Sequence, residues 1–155
     1  MLTENFKDVI KLICNKLKDQ NIKFAFVGSA SLNLQGINIT PNDLDLIISI
    51  SGLKIISEEF KDCITQPASK KPYFKEGYPE YYELKLKIND VVVHIMGEYD
   101  NDLYMSMINK GNIVLVKLMD ISVPCLALES EAEAYSEMGR DKKVRLIRDY
   151  LNKKD

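Results

Sequence analysis

Histidine is almost missing from this sequence, which has one, His94. Cysteine is scarce as well: Cys14, Cys63 and Cys125 are odd in number, widely spaced, and lack any CxxC or Cys/His pairing. That excludes a zinc finger or a disulfide framework, and reduced, part-buried, non-catalytic thiols are expected. An excess of charge is also lacking, with 21 Lys plus Arg against 23 Asp plus Glu and a net charge of -2. Bulk attraction to nucleic acid or to a membrane is therefore excluded, and any RNA contact has to be local. No stretch approaches the roughly 20 apolar residues that span a bilayer, and the N-terminus has no basic region followed by an apolar run. A soluble, cytoplasmic protein without a membrane partner is expected. Internal repeats and low-complexity tracts are absent too. What remains is 155 residues, 46% of them hydrophobic, enough for a single compact domain over 1–155 with a proper core.

From Thr3 to Lys18, apolar residues recur at Phe6, Val9, Ile10, Ile13 and Leu17. This is the spacing of one helical face, with Thr3 placed to cap the start. Lys23 to Val27 reads as a short buried strand that runs into a tight turn at Gly28-Ser29. Ala30 to Gln35 reads as a short helix stopped by Gly36, and Leu53 to Phe60 as another. Asp43 to Ile50 begins with strict alternation, so Asp43 and Asp45 point to one face of a strand while Leu44, Leu46 and Ile48 point to the other.

Thr65 to Pro79, with three prolines and many lysines and aromatics, reads as a long loop or flap. Tyr82 to Ile88 and Val91 to Met96 are extended runs separated by Asn89-Asp90, a pair suited to a tight hairpin turn. Leu103 to Asn109 is expected to be helical and Asn112 to Leu118 to be a strand. Two helices, Glu129 to Met138 and Asp141 to Leu151, follow and are punctuated by Gly139. Strands and helices interleave without regular βαβ repetition. The expected class is α+β, a mixed sheet flanked by helices with further helices at the C-terminus.

The chemistry concentrates in Phe26-Val27-Gly28-Ser29-Ala30 and Asp43-Leu44-Asp45. A Gly-Ser turn that opens a helix presents backbone N–H groups, a hydroxyl and the positive end of a helix dipole, all suited to phosphate. Two carboxylates at i and i+2 on an adjacent strand can hold one or two Mg²⁺ ions against the same phosphates. A hydrophobic strand, Gly-Ser, a short helix and Asp-x-Asp opening a second strand, in that order, resemble the nucleotidyltransferase superfamily. That group includes polymerase-beta-like enzymes, aminoglycoside nucleotidyltransferases and minimal nucleotidyltransferases.

The resemblance covers residues 24 to 50, and more weakly the order of elements in the whole chain. It implies transfer of a nucleoside monophosphate from an NTP to an acceptor hydroxyl or phosphate on a small molecule, a protein or an RNA end. Asp43 and Asp45 would hold Mg²⁺ or Mn²⁺, and Gly28 and Ser29 the outer phosphates. A homodimer or a partner protein is a further implication.

Relatives place a third carboxylate on a later strand. The matching segment here, Val91 to Met96, has none. His94 occupies that place in one register and Val92 in another. His94 there could ligate the metal or act as a base near neutral pH, and Glu98 would substitute only if the strand bends. A silent module that binds a nucleotide or a partner is the alternative to an enzyme. Near the C-terminus, Gly139-Arg140-Asp141-Lys142 resembles a Gly-Arg-x-Lys junction of small family members, which puts Arg140 and Lys142 forward as phosphate or acceptor contacts. Lys143, Arg145 and Arg148 read as a solvated basic face. The run Lys70, Lys71, Tyr73, Phe74, Lys75, Tyr78, Tyr81 and Tyr82 could stack on a base or recognise an acceptor.

Overall fold

The computed structural model describes residues 2–73, 77 and 80–154. Helix α1 (Glu4–Leu17) starts where Thr3 accepts a hydrogen bond from the Phe6 N–H, and it buries Val9, Ile10, Ile13, Cys14 and Leu17. Strand β1 (Phe24–Val27) is buried at all four positions and leads directly into α2 (Gly28–Leu34). Strand β2 (Leu44–Ser49) is followed at once by α3 (Ile50–Glu59), whose first turn is capped by the Ser49 hydroxyl accepting from the Gly52 N–H. The helix therefore starts three residues before the apolar period suggests.

Strands β3 (Ile64–Lys71), β4 (Tyr81–Ile88) and β5 (Val91–Glu98) precede α4 (Leu103–Asn109). Strands β6 (Ile113–Leu118) and β7 (Ile121–Leu126) lead to α5 (Leu128–Glu137) and α6 (Asp141–Lys154). Asn89 and Asp90 both take positive φ, as the two-residue β4–β5 hairpin turn requires.

The seven strands form one sheet in the order β3-β4-β5-β2-β1-β7-β6. Strand β2 runs parallel to β5 and β1 parallel to β7, whereas the remaining pairs are antiparallel. The mixed α+β sheet expected from the interleaved elements is what forms. On one face, α1 and α3 pack on Phe24, Phe26, Leu44, Leu46, Ile48, Leu84, Val93 and Ile95. On the other, α4 and Ala134 of α5 cover Ala25, Val27 and Ile47. A third cluster joins α2, α5 and α6 through Leu32, Ala132, Tyr135 and Ile147. Cys14 and Cys125 are buried free thiols, both pushed up to about 12 chiefly by that burial. No helix among the described residues is long and apolar enough to cross a membrane.

Two strands differ from the sequence reading. The first part of the stretch read as flap, 65–71, belongs to strand β3 at the edge of the sheet, with register shifts around Pro67. An edge strand with bulges tolerates a residue that cannot donate to the ladder. Strand β7 was hidden by Pro124 in its middle. Its pairing with β1 is one residue pair, Phe26 with Cys125, so a missing N–H interrupts little ladder on that side. Of the other flap residues, Phe74, Lys75 and Tyr78 lie outside the described residues.

Candidate active site

Strand β1 ends beside the start of β2, with Val27 opposite Asp45. The chain then turns at Gly28, where φ is +75° and a Cβ would collide with the Asp45 carboxylate. Glycine is needed here on both counts, for the left-handed conformation and for the close approach. Asp43 and Asp45 are both half-buried. Burial first and the neighbouring Asp45 charge second raise the Asp43 pKa, with His94 and Lys85 opposing.

In the parallel ladder Asp45 is opposite His94, and His94 is in turn opposite Lys85 of β4. The imidazole Nδ1 is 3.4 Å from Asp45 Oδ1, and Nε2 is 2.8 Å from Glu83 Oε2. The second approach is close but off the N–H direction, so it is an ion pair rather than an aligned hydrogen bond. The Asp45 hydrogen bond first raises the His94 pKa, burial opposes it, and Glu83 adds to the rise. Burial alone would raise the Glu83 pKa, but the adjacent His94 prevails and lowers it. Both shifts favour the charged form of each partner.

Glu131 of α5 and Lys143 of α6 reach the same turn. Glu131 Oε2 accepts a 3.0 Å hydrogen bond from the Gly28 N–H, while Oε1 has no partner among the described residues. Burial pushes the Glu131 carboxyl up to about 8 despite that N–H; the Asp45 charge adds to the rise. Lys143 Nζ donates to Ser29 Oγ at 3.0 Å. Its pKa is lowered, by burial first and then by Arg140. Two basic side chains expected at this site lie further out: Arg140 is exposed and stacks 5.3 Å from the Tyr135 ring centroid, and Lys142 is exposed.

No protein-family model and no curated protein sequence matches the chain. Solved structures do. A protein of Thermotoga maritima described as a candidate nucleotidyltransferase aligns over 99% of this chain and 96% of its own, at 24% identity and a TM-score of 0.76. The crystal structure of ANT(2")-Ia in complex with adenylyl-2"-tobramycin covers 94% of this chain and 89% of its own, at 12% identity and a TM-score of 0.59. A solution structure of the antibiotic-resistance factor ANT(2")-Ia gives 12% identity and a TM-score of 0.62, over 97% and 86%. The chain has the nucleotidyltransferase fold.

On this nucleotidyltransferase fold, two carboxylates suit a hard divalent cation, since Mg²⁺ is commonly held by one or two carboxylates and completed by substrate phosphates and water. No group of three or more His, Cys, Asp or Glu placed to hold a metal occurs among the described residues. Glu98 does not supply a third carboxylate near Asp45. It lies four residues beyond His94 on β5, about 13 Å along a strand. Its Oε1 accepts from the Tyr104 and Met105 N–H groups at the start of α4, and its Oε2 from the Tyr73 hydroxyl. Burial raises its pKa to about 7. A cavity of about 650 Å³ lined by Ile50, Leu53 and Tyr82 among others contains none of the site residues.

Sequence reasoning missed Glu83, Glu131 and Lys143. Glu131 left one trace: it falls at the third residue after Leu128 and the fourth before Tyr135, on the stripe that α5 buries. Glu83 shares its strand face with Lys85 and looks like an ordinary outward charge, and Lys143 looks like one of a row of solvated bases.

Proposed function

We propose that this chain is a metal-dependent nucleotidyltransferase that moves a nucleoside monophosphate from an NTP to an acceptor hydroxyl or phosphate. The observation that carries this reading is the close seat of Gly28-Ser29 against Asp45, with Asp43 just before β2 and within reach of the Asp45 charge, and Lys143 on the Ser29 hydroxyl. Asp43 and Asp45 would hold Mg²⁺ or Mn²⁺, which neutralises the triphosphate and the charge that develops as pyrophosphate leaves. Ser29 and Lys143 face the outer phosphates.

His94 orients Asp45 through Nδ1. Glu83 faces its Nε2, so the imidazole holds the two acids apart on β2 and β4. Arg140 and Lys142 stay as outer contacts for the acceptor or for phosphate, local RNA included. The adenylyl-2"-tobramycin in the ANT(2")-Ia complex makes hydroxyl-bearing small molecules the first acceptor class to try.

The test is titration of Mg²⁺ with each of the four ribonucleoside triphosphates into the wild type and into Asp43→Asn and Asp45→Asn. Metal-dependent binding is expected in the wild type and is lost in both variants. Unchanged binding in both sinks the site.

One observation favours a second reading, a silent module that binds a nucleotide or a partner chain. Both imidazole nitrogens of His94 already face carboxylates, and Glu98 is committed to α4. Incubation with labelled NTP and pools of RNA, small molecules and the protein itself separates the two. Labelled product supports the enzyme; persistent binding without product supports the module.

A further inference from the structure

Helix α2 opens without a cap of its own, because Val27 at its N-cap has no side-chain acceptor. The acceptor for its first N–H comes from 103 residues away, as Glu131 Oε2 on Gly28. Glu131 is fully buried, yet its second oxygen has no partner among the described residues. A buried carboxyl with one orphaned oxygen is costly, and an apolar side chain of similar volume would in turn leave the Gly28 N–H unpaired. What the position keeps is therefore the acceptor on that N–H.

We propose that Glu131 is a positioning residue of the nucleotide site. It holds the Gly28 N–H, and with it the angle at which the turn sets the bare Gly28 backbone against Asp45 and offers the Ser29 hydroxyl. The inference rests on the nucleotide reading of that site. One consequence concerns the turn itself. The Gly28 N–H is already engaged, so the phosphate contacts fall to Ser29 and Lys143, not to the first amide of α2. A second concerns the acid: what matters is an acceptor oxygen at the right reach, not the charge.

Three variants of the full chain separate reach from charge. Glu131→Gln keeps an acceptor oxygen at the same length, Glu131→Asp keeps the acid but falls one methylene short, and Glu131→Met has no such acceptor. The readouts are affinity for Mg²⁺ with each of the four ribonucleoside triphosphates, hydrogen exchange of the Gly28 amide, and the Tm without nucleotide. Gln is expected to bind within about twofold of the wild type with Gly28 still protected. Asp and Met are expected to lose about tenfold in affinity, the worth of one hydrogen bond, with faster Gly28 exchange. The Met variant should lose no more Tm than one hydrogen bond costs and stay folded at the temperature of the binding measurement.

Wild-type affinity in the Asp and Met variants overturns the proposal. So does a loss of affinity in all three that follows the Tm, which marks a purely structural residue. A wild type that binds none of the triphosphates instead overturns the nucleotide reading and this inference with it, and that result is visible before any variant is made.

Discussion

His94 is the one histidine of the chain, so its imidazole can be followed alone in a proton NMR titration. Its pKa is raised by Asp45 first and also by Glu83, against burial. Glu83→Gln removes one of the two carboxylates and should move the titration midpoint to lower pH. A midpoint that stays where it is in the wild type would mean that the 2.8 Å contact contributes nothing to the charge state. At this scale the candidate site was only half legible. Gly28, Ser29, Asp43 and Asp45 stand close together in the chain, and the two acids are two residues apart, which a sequence displays. Glu83 and Glu131 look like ordinary solvated acids until β4 is laid beside β5 and α5 is packed on the sheet.

Among the elements, the β6–β7 hairpin holds the clearest local conflict. Met119 in its turn has φ +56° and is half exposed, although a side chain with a Cβ resists that conformation. Met119→Gly should raise stability by about 1 kcal/mol, seen as a higher Tm, because the strain goes and few contacts are lost. A lower Tm would show that the methionine packs usefully across the turn. The same hairpin explains why β7 was not legible. Its Pro124 argues against a strand in any local reading, and only the neighbouring strands make the extended conformation worthwhile. Strand β3 was misread for a similar reason, since Pro67 sits at an edge where a bulged ladder tolerates it. Helix α1 was read to within a residue because cap, period and burial all agree.

For the whole molecule, the raised carboxyls predict an unusual pH dependence. Glu98 and Glu131, raised to about 7 and about 8, keep their protons in the folded state while the same groups in the unfolded chain lose theirs near 4.5. Between those values the folded state binds more protons, so stability falls as pH rises, by up to about 1.4 kcal/mol per pH unit for each group. His94 acts in the same direction, since its raised pKa favours the folded state until pH passes through it. Glu83, whose pKa is lowered, contributes stability above its unfolded value and loses it only as pH falls below that window. Urea unfolding at pH 5, 6.5 and 8 should show decreasing stability, with a shallower slope in Glu131→Gln. Stability that rises over this range would contradict the burial of both acids.

By itself the sequence determined what is local. The alternation after Asp43 puts two carboxylates on one face, Gly28 permits the left-handed turn, and the 3.6-residue period of α1 selects the face that enters the core. These follow from backbone sterics and from hydrophobic periodicity within a few residues. Only the tertiary structure decided what meets that face. Gly28 and Glu131 are 103 residues apart, and Ser29 and Lys143 are 114 apart. Their contacts depend on how α5 and α6 dock against α2 and the sheet. Periodicity reports which way a side chain points but not what stands opposite, and at this site that decided which N–H is already engaged.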